Sequence, residues 1–197
     1  MTVDETPVSP ALVARMAAAS TPVATLRALP LAPLISVRAR GNGIARVASV
    51  LGLDTLPGHG PMGISPDGRI TWLRPDEWLV EASSTSRDVL AAALAKAVGD
   101  GSPEAEGAVV ELSASRHLLE LSGPRTRDVL SSVCALDLHP RTFPVGHATQ
   151  TLLMRAPVLL QLIDEGPTWR LLVRPSFVSY VVEWLADAMH PYRDPTP

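Results

Sequence analysis

The chain has 197 residues, which is long enough for one large domain or two small fused lobes with a buried core. Hydrophobic residues make up 46% and charged residues 19%, a balance typical of a folded globular protein rather than a disordered one. The formal net charge is −3, and the 17 basic residues are scattered rather than clustered. We therefore expect no nucleic-acid partner, because backbone binding needs a concentrated positive surface.

The sequence shows no signal for membrane insertion, secretion or disulfide formation. No apolar run reaches the roughly 18 residues that a membrane-spanning helix needs, and the first five residues lack the basic start of a secretory signal. The single cysteine, Cys134, excludes an internal disulfide framework and cannot alone form a thiolate metal cluster. These features predict a cytoplasmic protein without a membrane partner.

The first 32 residues are rich in proline, which fixes φ and removes a backbone donor. They predict an N-terminal arm, residues 1–32, that is extended or partly disordered. The apolar residues between the prolines leave a second interpretation open, in which the arm becomes ordered across a partner. Residues 191–197 are predicted to form a C-terminal tail.

A first lobe is predicted over about residues 33–100. Leu34–Arg38 has the pattern of a strand, and the Gly41–Gly43 turn precedes a helix whose apolar residues share one face. Residues 70–73 and 78–81 predict two strands, or one bent strand. A helix over residues 85–98 follows, with these residues predicted to point inward: Val89, Leu90, Ala93, Leu94 and Ala97. Gly99–Gly101 is predicted to be a hinge between halves.

A second lobe, over about residues 108–190, repeats this order. The pattern predicts a strand, a helix, three strands and a last helix. Their predicted limits are 117–122, 125–134, 150–154, 158–163 and 169–173, followed by a helix with Phe177, Tyr180, Val181, Trp184, Leu185 and Ala188 on one stripe. The repetition indicates an α+β fold of two pseudo-repeated ferredoxin-like lobes within one unit, residues 33–190.

Candidate nucleophilic and metal-binding residues are weakly supported. No two of the five histidines have the i, i+4 spacing of a helical metal site. His139 and His147 flank a loop near Cys134, which would suit a cysteine–histidine nucleophile. Cys134 also ends an apolar helix face, where a small buried residue is usual, and we favour this second interpretation.

Other polar and aromatic residues have ordinary structural explanations. The adjacent Asp76 and Glu77 would point to opposite faces of a strand, so a solvated turn is favoured over a carboxylate pair. Trp72 and Trp78 are either core residues or interface anchors. Gly41–Gly43 is favoured as a turn rather than a phosphate cradle. Gly123–Pro124 starts a helix, and the arginines that follow do not define a ligand.

Several short segments together resemble the gamma subunit family of heterotetrameric sarcosine oxidase, over about residues 30–190. The segments that carry the resemblance are residues 73–80 (LRPDEWLV), 121–124 (LSGP), 136–138 (LDL), 143–146 (FPVG), 150–152 (QTL), 176–180 (SFVSY) and 184–185 (WL). In that family the first motif usually begins Leu-Gly-Pro-Asp-Glu-Trp. Arg74 replaces this glycine, which concerns the geometry of the local turn.

The resemblance implies a non-catalytic accessory subunit of a flavoenzyme that oxidises sarcosine to glycine, with oxygen as electron acceptor and tetrahydrofolate as one-carbon acceptor. It implies alpha, beta and delta subunits as partners. FAD, FMN, NAD, tetrahydrofolate and zinc are expected on those subunits, and none on this chain. The fold is expected to be similar to the folate-binding domain of the glycine cleavage T-protein.

The same comparison implies no site residues. T-protein-like enzymes carry an Arg-x-Gly-Tyr-Thr-Gly-Glu type segment, and neither residues 70–79 nor 169–177 contain its glycine–tyrosine run. We expect no catalytic, cofactor-binding or metal-binding residue on this chain. Two alternatives stay open: a stand-alone folate-binding or aminomethyltransferase-like module, and a gamma-like subunit of an N-methylglutamate-type dehydrogenase.

Overall fold

The computed structural model describes residues 8–83, 87–99, 101 and 103–193. The α-helices are α1 (Pro10–Ala19), α2 (Asn42–Val50), α3 (Arg87–Val98), α4 (Thr126–Val133) and α5 (Val178–Ala188). The strands are β1 (Thr25–Ala28), β2 (Leu34–Ala39), β3 (Gly60–Pro61), β4 (Gly63–Ser65), β5 (Gly68–Arg74), β6 (Glu77–Ala82), β7 (Gly107–Glu111), β8 (His117–Ser122), β9 (His147–Leu153), β10 (Ala156–Asp164) and β11 (Thr168–Val173). The predicted α+β class is confirmed.

The chain divides into two compact units. The central unit is Ala32–Ser113, and the terminal unit joins the residues up to Leu31 with those from Ala114 onward. These limits differ from the predicted lobes, because β7 pairs with β2 and so belongs to the central unit. Gly99–Gly101, predicted as a hinge between halves, lies inside the central unit, so that prediction is wrong.

The sheet of the central unit has the strand order β4-β5-β6-β2-β7, and its strands pair antiparallel. Without the edge strand β4, this is the strand order of a ferredoxin-like β-α-β-β-α-β lobe, whose fourth strand is β7. One face of the sheet packs against α2 and α3. Its apolar core includes Ile35, Val37, Ile70, Trp78, Val80, Val47, Leu51, Leu90 and Leu94.

The helix faces of the central unit follow their apolar spacing with one exception. Val47 and Ala48 of α2 are buried as predicted. In α3, however, Val89 is 76% exposed, so its predicted inward position is wrong. The inward stripe is formed by Leu90, Leu94, Ala97 and Val98. Val89 lies about 100° away from Leu90 around the helix axis, which turns it out of the stripe.

The sheet of the terminal unit includes the order β1-β8-β11-β10-β9, again antiparallel. From β8 onward the unit follows the same order of elements as the central one. Its fourth-strand position is filled by β1, where Leu26 faces Leu121 across the ladder. The two pseudo-repeated ferredoxin-like lobes are thus completed differently, since β7 is local in sequence and β1 is not.

The N-terminal residues differ from the predicted extended arm. Pro10–Ala19 is a helix, whose first position tolerates proline because that amide would have no helical partner. Met16, Ala19 and Leu26 are buried in the core of the terminal unit. Their burial stabilises a helix and strand where the prolines alone predicted neither. Residues 1–7 lie outside the described part of the chain.

The last helix, α5, carries the predicted apolar stripe with its centre displaced. Val181 and Leu185 are buried, whereas Trp184 is 37% exposed. A 3₁₀ helix at His190–Tyr192 follows α5, and residues 194–197 of the predicted tail lie outside the described part. Among the helices of the described residues, none has both the length and the apolar character needed to cross a membrane.

Candidate functional site

The hairpin turn between β5 and β6 holds an ion-pair network around a buried carboxylate. Glu77 is buried, accepts a hydrogen bond from the Ser36 hydroxyl at 2.8 Å, and lies 2.6 Å from Nε of Arg74. A second guanidinium, that of Arg38, lies 3.4 Å from the same carboxylate. The prediction of a solvated turn is therefore wrong for Glu77, because paired donors allow its carboxylate to be buried.

This network also accounts for the arginine that departs from the family motif. Arg74 and Glu77 face each other in the ladder register across the turn. The arginine supplies a charge partner that glycine could not. Asp76 is half-buried, and its carboxylate lies 3.7 Å from Nε of Arg40. The two adjacent carboxylates therefore have separate arginine partners and do not form a paired-carboxylate site.

The N-terminus of α2 is occupied by a carboxylate of the chain itself. Oε1 of Glu106 accepts a hydrogen bond from the Asn42 amide at 3.2 Å, and its other oxygen pairs with Arg46. A Cβ at Gly41 would come within 2.8 Å of Glu106 Oε1, and the φ of Gly41 is +51°. The Gly41–Gly43 segment therefore forms a turn around the Glu106 carboxylate. The Asn42 amide is hydrogen-bonded to that carboxylate and is not free to bind a phosphate.

The tryptophans of the central unit have different environments. Trp78 is buried and donates its indole N–H to the Pro57 carbonyl at 2.8 Å, so it is a core residue. Trp72 is half-buried, and its ring meets the His59 ring edge-on at a centroid distance of 5.3 Å. The core interpretation therefore holds for Trp78, and Trp72 packs against the same core.

Cys134 has the surroundings of a structural thiol. It is buried, and its Sγ lies 3.5 Å from the Thr151 hydroxyl. Nδ1 of His139 accepts a hydrogen bond from the Arg141 amide, and the His147 ring packs against Phe143. Among the hydrogen bonds of the described residues, none joins Cys134 to either histidine. The favoured interpretation of a small buried residue therefore describes Cys134 best.

A cation–aromatic cluster lies beside α4 in the terminal unit. The Arg127 guanidinium stands 5.1 Å from the ring centroid of the buried Trp169, and it donates to the Leu138 carbonyl. Phe143 packs on Trp169 at a centroid distance of 5.4 Å. Burial lowers the pKa of Arg127, and the charge of Glu165 opposes this shift. Arg127 therefore holds the loop that follows α4 in place, through its contact with the Trp169 ring and its hydrogen bond to the Leu138 carbonyl.

In the described ranges, no group of three or more His, Cys, Asp or Glu side chains is placed to hold a metal ion.

A groove of about 390 Å³ lies between α1 and β1, and we call it the α1–β1 groove. Its lining includes Val13, Met16, Ala17, Ser20, Leu26 and Ala28.

The α1–β1 groove runs beside an edge strand that the chain partly covers itself. The Ser20 hydroxyl accepts a hydrogen bond of 3.0 Å from the Leu26 amide. This amide belongs to β1 and faces away from β8, so it would otherwise have no partner in the sheet. Val13, on the rim, is 42% exposed. Sequence reasoning missed this feature because the flanking prolines concealed the short helix. The Ser9–Pro10 pair, a helix cap followed by proline, was the signal that could have indicated it.

Exposed apolar side chains also occur elsewhere in the terminal unit. Leu152 is 54% exposed and Met154 40% exposed, both at the β9–β10 turn, and Trp184 is exposed on α5. Scattered apolar residues are common on protein surfaces, and an interface is indicated only where they form a contiguous patch. No contact among Leu152, Met154 and Trp184 is shown in the described residues, so these side chains by themselves do not define an interface.

Comparison with solved structures defines the fold class. The chain superimposes on the glycine cleavage system aminomethyltransferase T from Bartonella henselae with a TM-score of 0.61 and 16% identity, over 88% of this chain and 48% of that one. This likeness concerns the fold alone. It confirms the predicted T-protein-like architecture of two lobes.

Closer relatives define the family. The model of the sarcosine oxidase gamma subunit family matches residues 39–190. Sarcosine oxidase subunit gamma of Corynebacterium sp. (strain P-1) is 41% identical over 167 residues, covering 83% of this chain and 79% of that protein. The chain therefore belongs to the sarcosine oxidase gamma subunit family.

A solved structure supports the same assignment. A chain of heterotetrameric sarcosine oxidase from Corynebacterium sp. U-96, in complex with pyrrole 2-carboxylate, matches with a TM-score of 0.81 and 35% identity. The match covers 95% of both chains. The likeness therefore extends over both units, including residues N-terminal to the segment that the family model matches.

Proposed function

We propose that this chain is the non-catalytic gamma subunit of a heterotetrameric flavoenzyme that oxidises sarcosine to glycine, and that it serves assembly and stability. One observation carries the proposal: the 95% mutual coverage with a chain of heterotetrameric sarcosine oxidase. A chain that matches a subunit over nearly its whole length has the fold with which such a subunit takes its place in the complex. The partners proposed are the alpha, beta and delta subunits.

The proposal assigns the chemistry to the other subunits. FAD, FMN, NAD, tetrahydrofolate and zinc are proposed to lie on those subunits, with oxygen accepting the electrons and tetrahydrofolate the one-carbon unit. Glu77 and Cys134, which the sequence analysis singled out, support this division of labour. Glu77 is paired with an arginine of the chain itself, and Cys134 is buried at the end of a helix. Glu106, at the N-terminus of α2, is likewise paired with Arg46.

Co-expression with the three proposed partners tests the function. We expect a single flavin-coloured complex that contains this chain and produces peroxide when sarcosine is supplied. Omitting this chain should reduce the yield of the complex, and sarcosine-dependent activity should fall with the yield. An unchanged yield and activity of the complex formed by the other three subunits would reject the assembly role.

A substrate panel in the same assay tests the specificity. Sarcosine should be oxidised faster than N-methylglutamate, and tetrahydrofolate should lower the release of free formaldehyde. Faster oxidation of N-methylglutamate would reassign the complex to another N-methyl amino acid. Calorimetry of the isolated chain with tetrahydrofolate should give no binding heat, and saturable heat would instead indicate a folate-binding module.

A further inference from the structure

Two arginines of the terminal unit lie next to the last ladder pair of β8 and β11. That pair is His117 with Val173, so Arg116 and Arg174 are the next residues beyond it on the two segments. The backbone of Arg174 is still extended, and the two arginines are close enough for the charge of Arg174 to act on Arg116. Like charges directly opposite across a ladder destabilise a sheet, so this arrangement needs a compensating partner.

The described part of the chain shows no such partner. In the described ranges, nine arginines form ion pairs with carboxylates: Arg15, Arg27, Arg38, Arg40, Arg46, Arg69, Arg74, Arg87 and Arg125. Neither Arg116 nor Arg174 is among them. Arg116 is also partly buried, whereas an unpaired guanidinium is normally left in water.

The surroundings of Arg116 are desolvated and positive. Burial, followed by the charge of Arg174, lowers the pKa of Arg116. The neighbouring Ser115 hydroxyl is buried without a hydrogen-bond partner. Burial lowers the pKa of His117, so this imidazole is neutral near pH 7 and adds no charge. The two guanidiniums form a donor set that suits an oxyanion.

We propose that Arg116 and Arg174 form a docking point for an aspartate or glutamate side chain of a partner subunit. A carboxylate between two guanidiniums would offset their repulsion and accept several charge-assisted hydrogen bonds. The chain has a net charge of −3, so a local positive site would also orient an acidic segment of the partner. The partner as the source of the carboxylate rests on the proposed function.

The first experiment tests carboxylate binding on the isolated full-length chain. Potassium glutamate is the probe, compared with potassium chloride at equal ionic strength, and the readout is the melting temperature. Glutamate should stabilise the wild type more than R116Q or R174Q. Arg155 is an exposed arginine without an ion pair in the described part, so R155Q is the matched control and should respond like the wild type. Equal responses of all four proteins would overturn the proposal.

The second experiment identifies the source of the carboxylate in the assembled complex. R116Q and R174Q should each weaken retention of this chain by about tenfold or more, and R155Q should not. The isolated R116Q and R174Q chains should melt no lower than the wild type, because each loses a repulsive charge. A lower melting temperature in salt-matched buffer would indicate a purely structural role and would overturn the proposal.

The two experiments separate this inference from the proposed function. If the wild-type chain fails to assemble, the proposed function fails, and the glutamate experiment alone decides whether the arginine pair binds a carboxylate. If glutamate binds and R116Q assembles normally, the pair takes a free small anion and the partner-docking proposal is rejected. The charge-retaining R116K variant should recover part of the retention that R116Q loses.

Discussion

The two units build the same sheet order from different parts of the chain. In the central unit, the fourth-strand position is filled by β7, which follows α3 directly. In the terminal unit it is filled by β1, and Arg27 of that strand is 93 residues away from its partner Glu120. A lobe of this type therefore requires a strand at this position but does not require it to be local in sequence.

We expect substitutions in β1 to destabilise the protein more than substitutions in β7, because Leu26 of β1 is buried and Val109 of β7 is half-buried. Leu26→Ala in β1 should lower the free energy of unfolding by about 2–5 kcal/mol, because Leu26 is buried in the core of the terminal unit. Val109→Ala in β7 should cost only about 1 kcal/mol, since that valine is half-buried. Urea titration of both variants measures this. Equal losses would show that the two strands contribute alike.

The hairpins at equivalent positions of the two lobes provide a second comparison. The β5–β6 turn is held by the buried Glu77 carboxylate, and the β10–β11 turn by Asp164, which accepts the Gly166 amide at 2.8 Å and the Thr168 amide at 3.0 Å. Glu77→Gln should cost about 1–3 kcal/mol, because it leaves a buried site without its charge. Asp164→Ala should cost about 0.5–1.5 kcal/mol, because exposed amides can bind water instead. Chemical denaturation ranks the two, and the reverse order would contradict this account.

The terminal unit should also carry a pH response near neutrality. Burial depresses the pKa of His117 below its unfolded value of 6.5, so the unfolded chain binds the proton more readily. The stabilising contribution is present above pH 6.5 and is lost as the pH falls through the folded pKa. Melting curves of the wild type should therefore show a decline below that pH, which H117Q flattens.

Asp137 is a second titrating group, and it responds in a more acidic pH range than His117. The His139 amide and the Thr142 hydroxyl hold the pKa of Asp137 below its ordinary value of 3.8. The contribution of Asp137 is thus lost only as the pH falls below that value. D137N should therefore lower the melting temperature by a nearly constant amount above that value and flatten the pH dependence only in the acidic range. A change in the slope of the D137N curve near pH 6 would mean that the two windows were assigned to the wrong groups.

The smallest effect is expected on the exposed face of α3. Val89 is 76% exposed, so Val89→Ser should change stability by no more than about 0.5 kcal/mol. Leu94→Ala, on the buried face of the same helix, should cost about 2–5 kcal/mol. Thermal unfolding of the pair checks the corrected orientation of the helix. A large loss for Val89→Ser would restore the inward position that the sequence predicted.

Much of the fold was predictable because its signals are local. The strand and helix of the second lobe, over residues 117–122 and 125–134, correspond to β8 and α4, since apolar period and flanking glycine and proline determine such elements. The buried position of Glu77 was not predictable in this way. Its burial depends on Ser36 and Arg38, which the register of β2 and β6 brings beside the turn.

The candidate docking point shows the same limit. Arg116 and Arg174 are far apart in the sequence, and each is unremarkable in its own segment. Only the pairing of β8 with β11 brings them close together. Charge patterning along one segment therefore could not have indicated the site.

The sequence by itself determined the family, the α+β class and most element limits, because motifs and apolar periods are properties of neighbouring residues. The tertiary structure decided where the N-terminal residues belong, which strand completes each lobe, and which charges are buried or unpaired. These outcomes depend on contacts between distant segments. Their free energy comes from burial and pairing across the sheet, which local propensity does not encode.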